Sequence, residues 1–374
     1  MRILVGYIID GTTGGIDKYL TNMLKSIPFE HDDIQMDFLT NKITPQLESV
    51  LSQYHAAVYE VSTLKHPFKQ FCQTREIMKK NHYDVAYFNI STTINCIGII
   101  AAWKCKIKKR IIHSHSAGND TDNVLNRILL NCLNFIGKQF LYKMGTDFYG
   151  CSGMAGKWIF PQKIVHSSHF HVIKNAVDTQ KFAFSAEKRK EVRQSLHLEE
   201  KFVVGDVGFF SFQKNHVFLL EVFRQLLRQK PQSVLMLIGE GRLYQEIKER
   251  AQQMGIEESI LFMGKRRDVN DLMQAMDVFA FPSRFEGLGI VGVEAQVSGL
   301  KCFFSVNVPK EIVFTDNCIF LSIKHKHDAV VWADSIIKNG MNYQREDASA
   351  LAKNAGYNLE GQNFSFLWNE GVVQ

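Results

Sequence analysis

Strand-length apolar runs alternate with helical stripes along almost the whole of this 374-residue chain, and that rhythm constrains the fold most. The runs are Ile3–Ile9, Val85–Phe88, Arg110–Ile112 and Phe148–Gly150, then Phe202–Val207, Val234–Ile238, Ile260–Met263, Val278–Phe281 and Cys302–Phe304. Between them lie helical patterns such as Val217, Leu220, Phe223, Leu226 and Leu227, which share one stripe. A βαβα order predicts α/β architecture, with parallel sheets covered by helices on both faces. The rhythm breaks at 160–200, where Pro161, a polar run at 166–169 and a charged segment at 187–193 precede a fresh strand at Phe202. Two doubly wound, Rossmann-like domains are predicted, at 1–165 and 166–357, with a hinge near Asn175. Residues 358–374 read as a C-terminal helix and tail docking on one domain.

Composition removes several classes. With 45% hydrophobic and 22% charged residues, the chain is neither disordered nor fibrous. Residues 85–103 have the length of a membrane span, but Asn89, Ser91, Thr92, Thr93 and Asn95 divide them into strand, polar loop and helix. The opening MRILVGYIIDGTTGG reads as a first strand and turn rather than a signal peptide. Seven scattered cysteines without CxxC spacing argue against a zinc ribbon or redox dithiol, and suit small core positions in a reducing cytoplasm.

The charge is lopsided. Residues 1–165 hold 19 Lys and Arg against 13 Asp and Glu, giving +6, whereas the remainder balances at 25 each. The densest patch is Lys104, Lys106, Lys108, Lys109 and Arg110. It could meet an anionic membrane surface, or be a solvated turn between helix and strand. Nucleic acid is disfavoured, because no aromatic reading face accompanies it.

The strongest local signal is FPSRFEGLGIVGVEA at 281–295, which follows a strand and opens a helix. In open α/β sheets ligands bind beyond the carboxyl ends of strands. Gly287 and Gly289 let backbone N–H groups approach an anion, and the helix N-terminus adds its dipole. Glu286 is expected at the loop mouth and Glu294 about a turn further in. Two carboxylates beside a phosphate would repel it unless they accept hydrogen bonds from hydroxyls, and sugars supply these.

FEGLGIVGVEA resembles the Glu-x7-Glu element of retaining nucleotide-sugar glycosyltransferases of the GT-B fold, the group 1 type, and more narrowly those of bacterial capsule and exopolysaccharide synthesis. Further matches are GTTGGIDKYL near the start, IIHSHSAG at 111–118, TDFYGCSGMAGKWIF at 146–160, VIKNAVDTQKF at 172–182, QKNH at 213–216, LIGEG at 237–241 and MDVFAFPSRFEGL at 276–288. The resemblance implies two domains facing a central cleft, and transfer with retention from a nucleotide diphosphate sugar, UDP-linked, to a glycan acceptor that is lipid-linked. It implies no cofactor and no metal, and a cytoplasmic enzyme peripheral to the inner face of the membrane. Glu294 would bind ribose hydroxyls, and Glu286 sugar hydroxyls. The amides of Gly287, Leu288, Gly289 and Ile290 would lie near the sugar or phosphates. Lys214 would pair with the diphosphate. Gly14 and Gly15 would face the diphosphate and acceptor, His115 the reacting carbon, and Arg266 the base.

Two departures from the family pattern stand out. Gly208-Phe209-Phe210 replaces the usual Gly-Arg-Phe, removing a diphosphate cation, and Gly289 replaces a Pro after Glu-Gly-Leu, which should loosen the loop. Plain structural alternatives remain for each residue. The acidic pair could cap a helix, His115 could be a hydrogen-bonded core histidine, Gly14-Gly15 a tight turn and Lys214 a solvated helix start. His113 and His115 are expected to point to opposite strand faces and so not to ligate one ion. A nucleotide-sugar epimerase of the same fold and a non-catalytic partner subunit are the rival functions.

Overall fold

A computed structural model describes residues 1–11, 14–26, 34–359 and 364–367. The chain forms two compact units, each built on one parallel sheet. The first sheet has β1 (Arg2–Gly6), β2 (Gln35–Thr40), β3 (Ala57–Glu60), β4 (Val85–Ile90), β5 (Lys109–Ser114), β6 (Asp147–Gly150) and β7 (Phe170–Val172), in the order β3-β2-β1-β4-β5-β6-β7. The second has β8 (Phe202–Val207), β9 (Ser233–Ile238), β10 (Ile260–Gly264), β11 (Val278–Phe281), β12 (Lys301–Ser305) and β13 (Cys318–Leu321), in the order β10-β9-β8-β11-β12-β13. The strand order reverses between β1 and β4 and between β8 and β11, which is where doubly wound sheets open a crevice. Every residue of β4 and β11 is buried, as expected of central strands covered on both faces.

Four strands were not legible as apolar runs. In β2 the sequence QMDFLT carries Asp37, which is fully buried. Its carboxylate pairs with Arg2 at 2.7 Å and accepts the Tyr83 hydroxyl at 2.6 Å, so distant partners satisfy a charge that reads locally as a loop. Strands β3, β7 and β13 are short.

The predicted boundary at 165/166 moves to Ala176/Val177. The reason is β7, which pairs Phe148 with Phe170 and so extends the first sheet. The Phe170 ring lies against Gly156, where a Cβ would come within 2.3 Å of it. The predicted C-terminal helix is also corrected where it is described. Ser365–Leu367 is a 3-10 turn, and Phe364, Phe366 and Leu367 enter the first unit's core beside Tyr19, Tyr87 and Tyr149. Residues 360–363 and 368–374 lie outside the described residues. The cysteines are less core-like than expected: all seven are free, Cys151 and Cys302 are buried, and Cys72 and Cys132 are exposed.

The Val124–Leu141 helix is attached by its polar side. Asn134 is buried, accepts the Thr93 N–H at 2.8 Å and donates to the Trp158 carbonyl at 3.0 Å. Gly137 permits close contact, since a Cβ there would sit 2.3 Å from the Thr93 hydroxyl. Asn134→Ala leaves two buried backbone groups unpaired and is expected to cost about 2 kcal/mol, read by urea unfolding. Among the described residues, no helix is long and apolar enough to cross a membrane.

Candidate functional site

The second unit's site grows from the carboxyl ends of β8 and β11. After β8 the chain turns through Gly208-Phe209-Phe210. Phe210 is buried, donates its N–H to the Glu240 carbonyl at 2.8 Å and stacks on His216 with ring centroids 4.1 Å apart. Gly239, at φ +150°, touches this turn so closely that a Cβ would come 1.9 Å from the Gly208 carbonyl. The glycines of LIGEG thus serve backbone-to-backbone packing under the site.

The QKNH segment is stitched to the loop after β11. Asn215, left-handed at φ 59°, begins the His216–Gln229 helix and donates to the Pro282 carbonyl at 3.1 Å. The Arg284 N–H donates to the Gln213 carbonyl at 2.8 Å. These bonds bring together two predicted site residues far apart in sequence. Lys214 Nζ lies 2.8 Å from Glu286 Oε1 and 4.4 Å from the Phe281 ring centroid. Gln213 Nε2 donates to Glu286 Oε2 at 2.9 Å. Glu286 is only 5% exposed, so it sits deeper than a loop mouth. An ammonium has three N–H donors, so one can hold Glu286 while the others face a phosphate oxygen.

Gly287, Leu288 and Gly289 are buried beside Glu286, and Gly289 precedes the Ile290–Val297 helix at φ +87°. Proline cannot take that φ. The departure at this position therefore sets a different turn geometry. Glu294 is buried on the same helix, 6% exposed. Arg266, just past β10, is exposed and engaged by both oxygens of Asp268, at 2.6 and 2.8 Å. Phe209 lies beyond the end of β8 and is 48% exposed.

His115, Gly14 and Gly15 belong to the first unit. Gly14, at φ +82°, opens the Gly14–Ser26 helix, and a Cβ at either glycine would meet nothing within 4 Å. Neither glycine is required by close packing against another described residue. His115 lies just past β5, with Nε2 2.8 Å from Asn89 Oδ1. Surrounding protein pushes its pKa down to about 3, so the ring stays neutral at physiological pH. It can exchange hydrogen bonds there but supplies no positive charge.

The expectation that His113 and His115 diverge is wrong. Residues two apart on a strand share a face, and the two ring centroids are 4.0 Å apart. His113 Nδ1 is instead 2.6 Å from the Tyr87 hydroxyl, which donates to Tyr19 at 2.9 Å. Sequence reasoning also missed Asp17. Its buried carboxylate accepts the N–H groups of Ile9, Asp10 and Gly11 at 2.7–3.2 Å and so fixes the backbone of residues 9–11. An acidic residue in the first turn of a helix was the available signal.

Comparison with known proteins agrees with this fold. Residues 187–355 match the family described as Glycosyl transferases group 1. EpsF of Bacillus subtilis strain 168, named as a glycosyltransferase, is 27% identical over 95% of this chain and 92% of its own length. The Escherichia coli UDP-Gal:alpha-D-GlcNAc-diphosphoundecaprenol alpha-1,3-galactosyltransferase is 25% identical over 78% of this chain and 76% of its own. The structure of Anabaena HepE in complex with UDP and glucose superposes with a TM-score of 0.75, at 18% identity and 96% coverage of both chains. The two Rossmann-like sheets are those of the GT-B fold, and the second unit carries a domain that matches the Glycosyl transferases group 1 family at 187–355.

Proposed function

We propose that the protein transfers a sugar from a UDP-linked donor to a hydroxyl of a lipid-linked glycan at the inner face of the cell membrane, with retention and without a metal, in capsule or exopolysaccharide synthesis. One observation carries the reading: Lys214 and Glu286 meet at 2.8 Å beside the start of the Ile290–Val297 helix, at the switch point of the second sheet. That arrangement puts a cation and backbone amides where a leaving diphosphate gathers charge, and a carboxylate where hydroxyls can donate. Attack on the same face, with the leaving phosphate taking the acceptor proton, needs no carboxylate nucleophile. The E. coli relative named for UDP-Gal and a diphosphoundecaprenol acceptor supports the donor and acceptor classes. The test is a panel of nucleotide sugars for binding, followed by lipid-linked acceptors for turnover. Binding without transfer to any acceptor would reject the enzyme.

Phe209 favours the second reading, a non-catalytic partner subunit, because it stands where an arginine fork could grip the diphosphate. Phe209→Arg is expected to tighten UDP binding by roughly tenfold, the scale of one charge-assisted bond. Calorimetry at fixed salt measures it. No nucleotide binding by either form would favour the partner-subunit reading.

The basic turn supports the membrane reading. Lys104, Lys106 and Lys108 are exposed. Arg110 is committed elsewhere, donating to the carbonyls of Met144, Ile107 and Lys108. Changing Lys106, Lys108 and Lys109 to Gln should weaken binding to anionic vesicles as raised salt does. Equal binding to neutral and anionic vesicles would leave only a solvated turn.

A further inference from the structure

We infer that the Val124–Leu141 helix is a membrane-interface element, whose outward apolar face lies in the surface of an anionic phospholipid bilayer. A helix on a globular protein normally turns its apolar stripe to the core and its polar side to water. This one turns most of its large apolar side chains outward. Its buried positions are Asn134, which is held by Thr93 and Trp158, and Leu141 at its end. Its exposed positions include Leu125, Ile128, Leu129, Phe135, Ile136 and Phe140, each at least 55% exposed and Leu125 77%, with Asn126, Asn131 and Gln139 among them. At 100° per residue these six fall within one half of the helix circumference. An apolar face of that size needs a cover.

The chemistry of the cover follows from charge. The helix contains no Asp or Glu. From 125 to 176 there are six Lys and Arg (Arg127, Lys138, Lys143, Lys157, Lys163 and Lys174) against one carboxylate, Asp147. One of these cations sits against the apolar face and another just past the helix's end. Lys143 Nζ is 5.5 Å from the Phe140 ring centroid, and Lys163 Nζ is 4.3 Å from that of Tyr142. The helix's C-terminal end also adjoins the basic turn, since Arg110 donates to the Met144 carbonyl at 2.6 Å. A second copy of this chain, packed two-fold on the same face, would set cations against cations. An anionic bilayer satisfies both halves at once. Its acyl boundary takes the leucines and phenylalanines, and its phosphates take the lysines.

The inference deepens the lipid-linked acceptor reading, and its test uses neither donor nor acceptor. The full chain is sedimented with vesicles of phosphatidylcholine alone, or of equal parts phosphatidylcholine and phosphatidylglycerol, at low and high salt. The wild type should pellet with the mixed vesicles and retain a fraction at high salt, because the apolar part is not screened. Leu129→Glu/Ile136→Glu should lower the partition coefficient by at least about tenfold at both salts, with an unchanged melting temperature. Lys138→Gln/Lys143→Gln should lower it only at low salt. Wild-type protein left in the supernatant, or pelleting unaltered by the two glutamates, overturns the inference. So does a dimer in light scattering that the glutamates split, which would make the face a protein interface. UDP calorimetry on the wild-type protein separates the two readings. Intact UDP binding in a wild-type chain that ignores vesicles sinks the membrane element alone.

Discussion

Lys214→Met is expected to lower kcat by about 10²–10³-fold, the loss seen when one donor to a developing oxyanion is removed from an enzyme site. Its ammonium is largely buried, 14% exposed at the side chain, so its field on a leaving diphosphate is little screened. The single variant has a second effect. Glu286 would keep only the Gln213 amide, and a buried carboxylate that loses its cation destabilises its surroundings. A cycle with Glu286→Gln separates the two roles. If Lys214 serves only to neutralise Glu286, the double variant Lys214→Met/Glu286→Gln should recover most of the rate lost in Lys214→Met. If Lys214 stabilises the departing phosphate, the double variant stays at least as slow as the single one. Single-turnover rates at saturating donor, with melting temperatures for all four proteins, decide between them. Recovery of the rate would remove Lys214 from the reaction.

The parts of this fold that were legible in the sequence are those whose physics is local. Central strands such as VAYFNI and VFAF are buried on both faces and so read as unbroken apolar runs. The Gly-rich loop before Val291 read correctly as a strand-to-helix turn, because glycine there answers a backbone need, a φ of +87° at Gly289. What failed depends on partners far along the chain. Asp37 looks like a loop residue until Arg2 and Tyr83 are placed beside it. The boundary at 165 was drawn from polarity alone, and β7 crosses it because Phe170 finds Gly156 and Phe160. The ion pair of Lys214 with Glu286 could not be read either, since 72 residues separate them. The helix at 124–141 turns most of its large apolar side chains outward. An apolar stripe gave no sign of which way it faces, and only the bonds of Asn134 and the clearance at Gly137 orient it.

Glu294→Ala is expected to weaken UDP binding by at least about tenfold with the fold intact. Glu294 is 6% exposed on the helix that starts at the candidate phosphate site, and its proposed partners are the two ribose hydroxyls. Hydrogen bonds to a charged group contribute about 1.5–3 kcal/mol each. Two at the lower figure amount to about a hundredfold in affinity, and water replacing part of them in the variant leaves about tenfold as the floor. Size and charge are separable here. Glu294→Gln keeps the shape and one acceptor oxygen, so its loss should be smaller than that of the alanine variant. Removing the hydroxyl from the ligand gives the complementary test. If the carboxylate holds the ribose, 2′-deoxy-UDP should bind the wild type more weakly than UDP, yet bind Glu294→Ala about as well as UDP does, because the bond is already absent. Calorimetry of both ligands against both proteins closes the cycle. Losses that simply add would mean that Glu294 and the 2′-hydroxyl act independently, and the ribose contact would have to be sought elsewhere in the second unit.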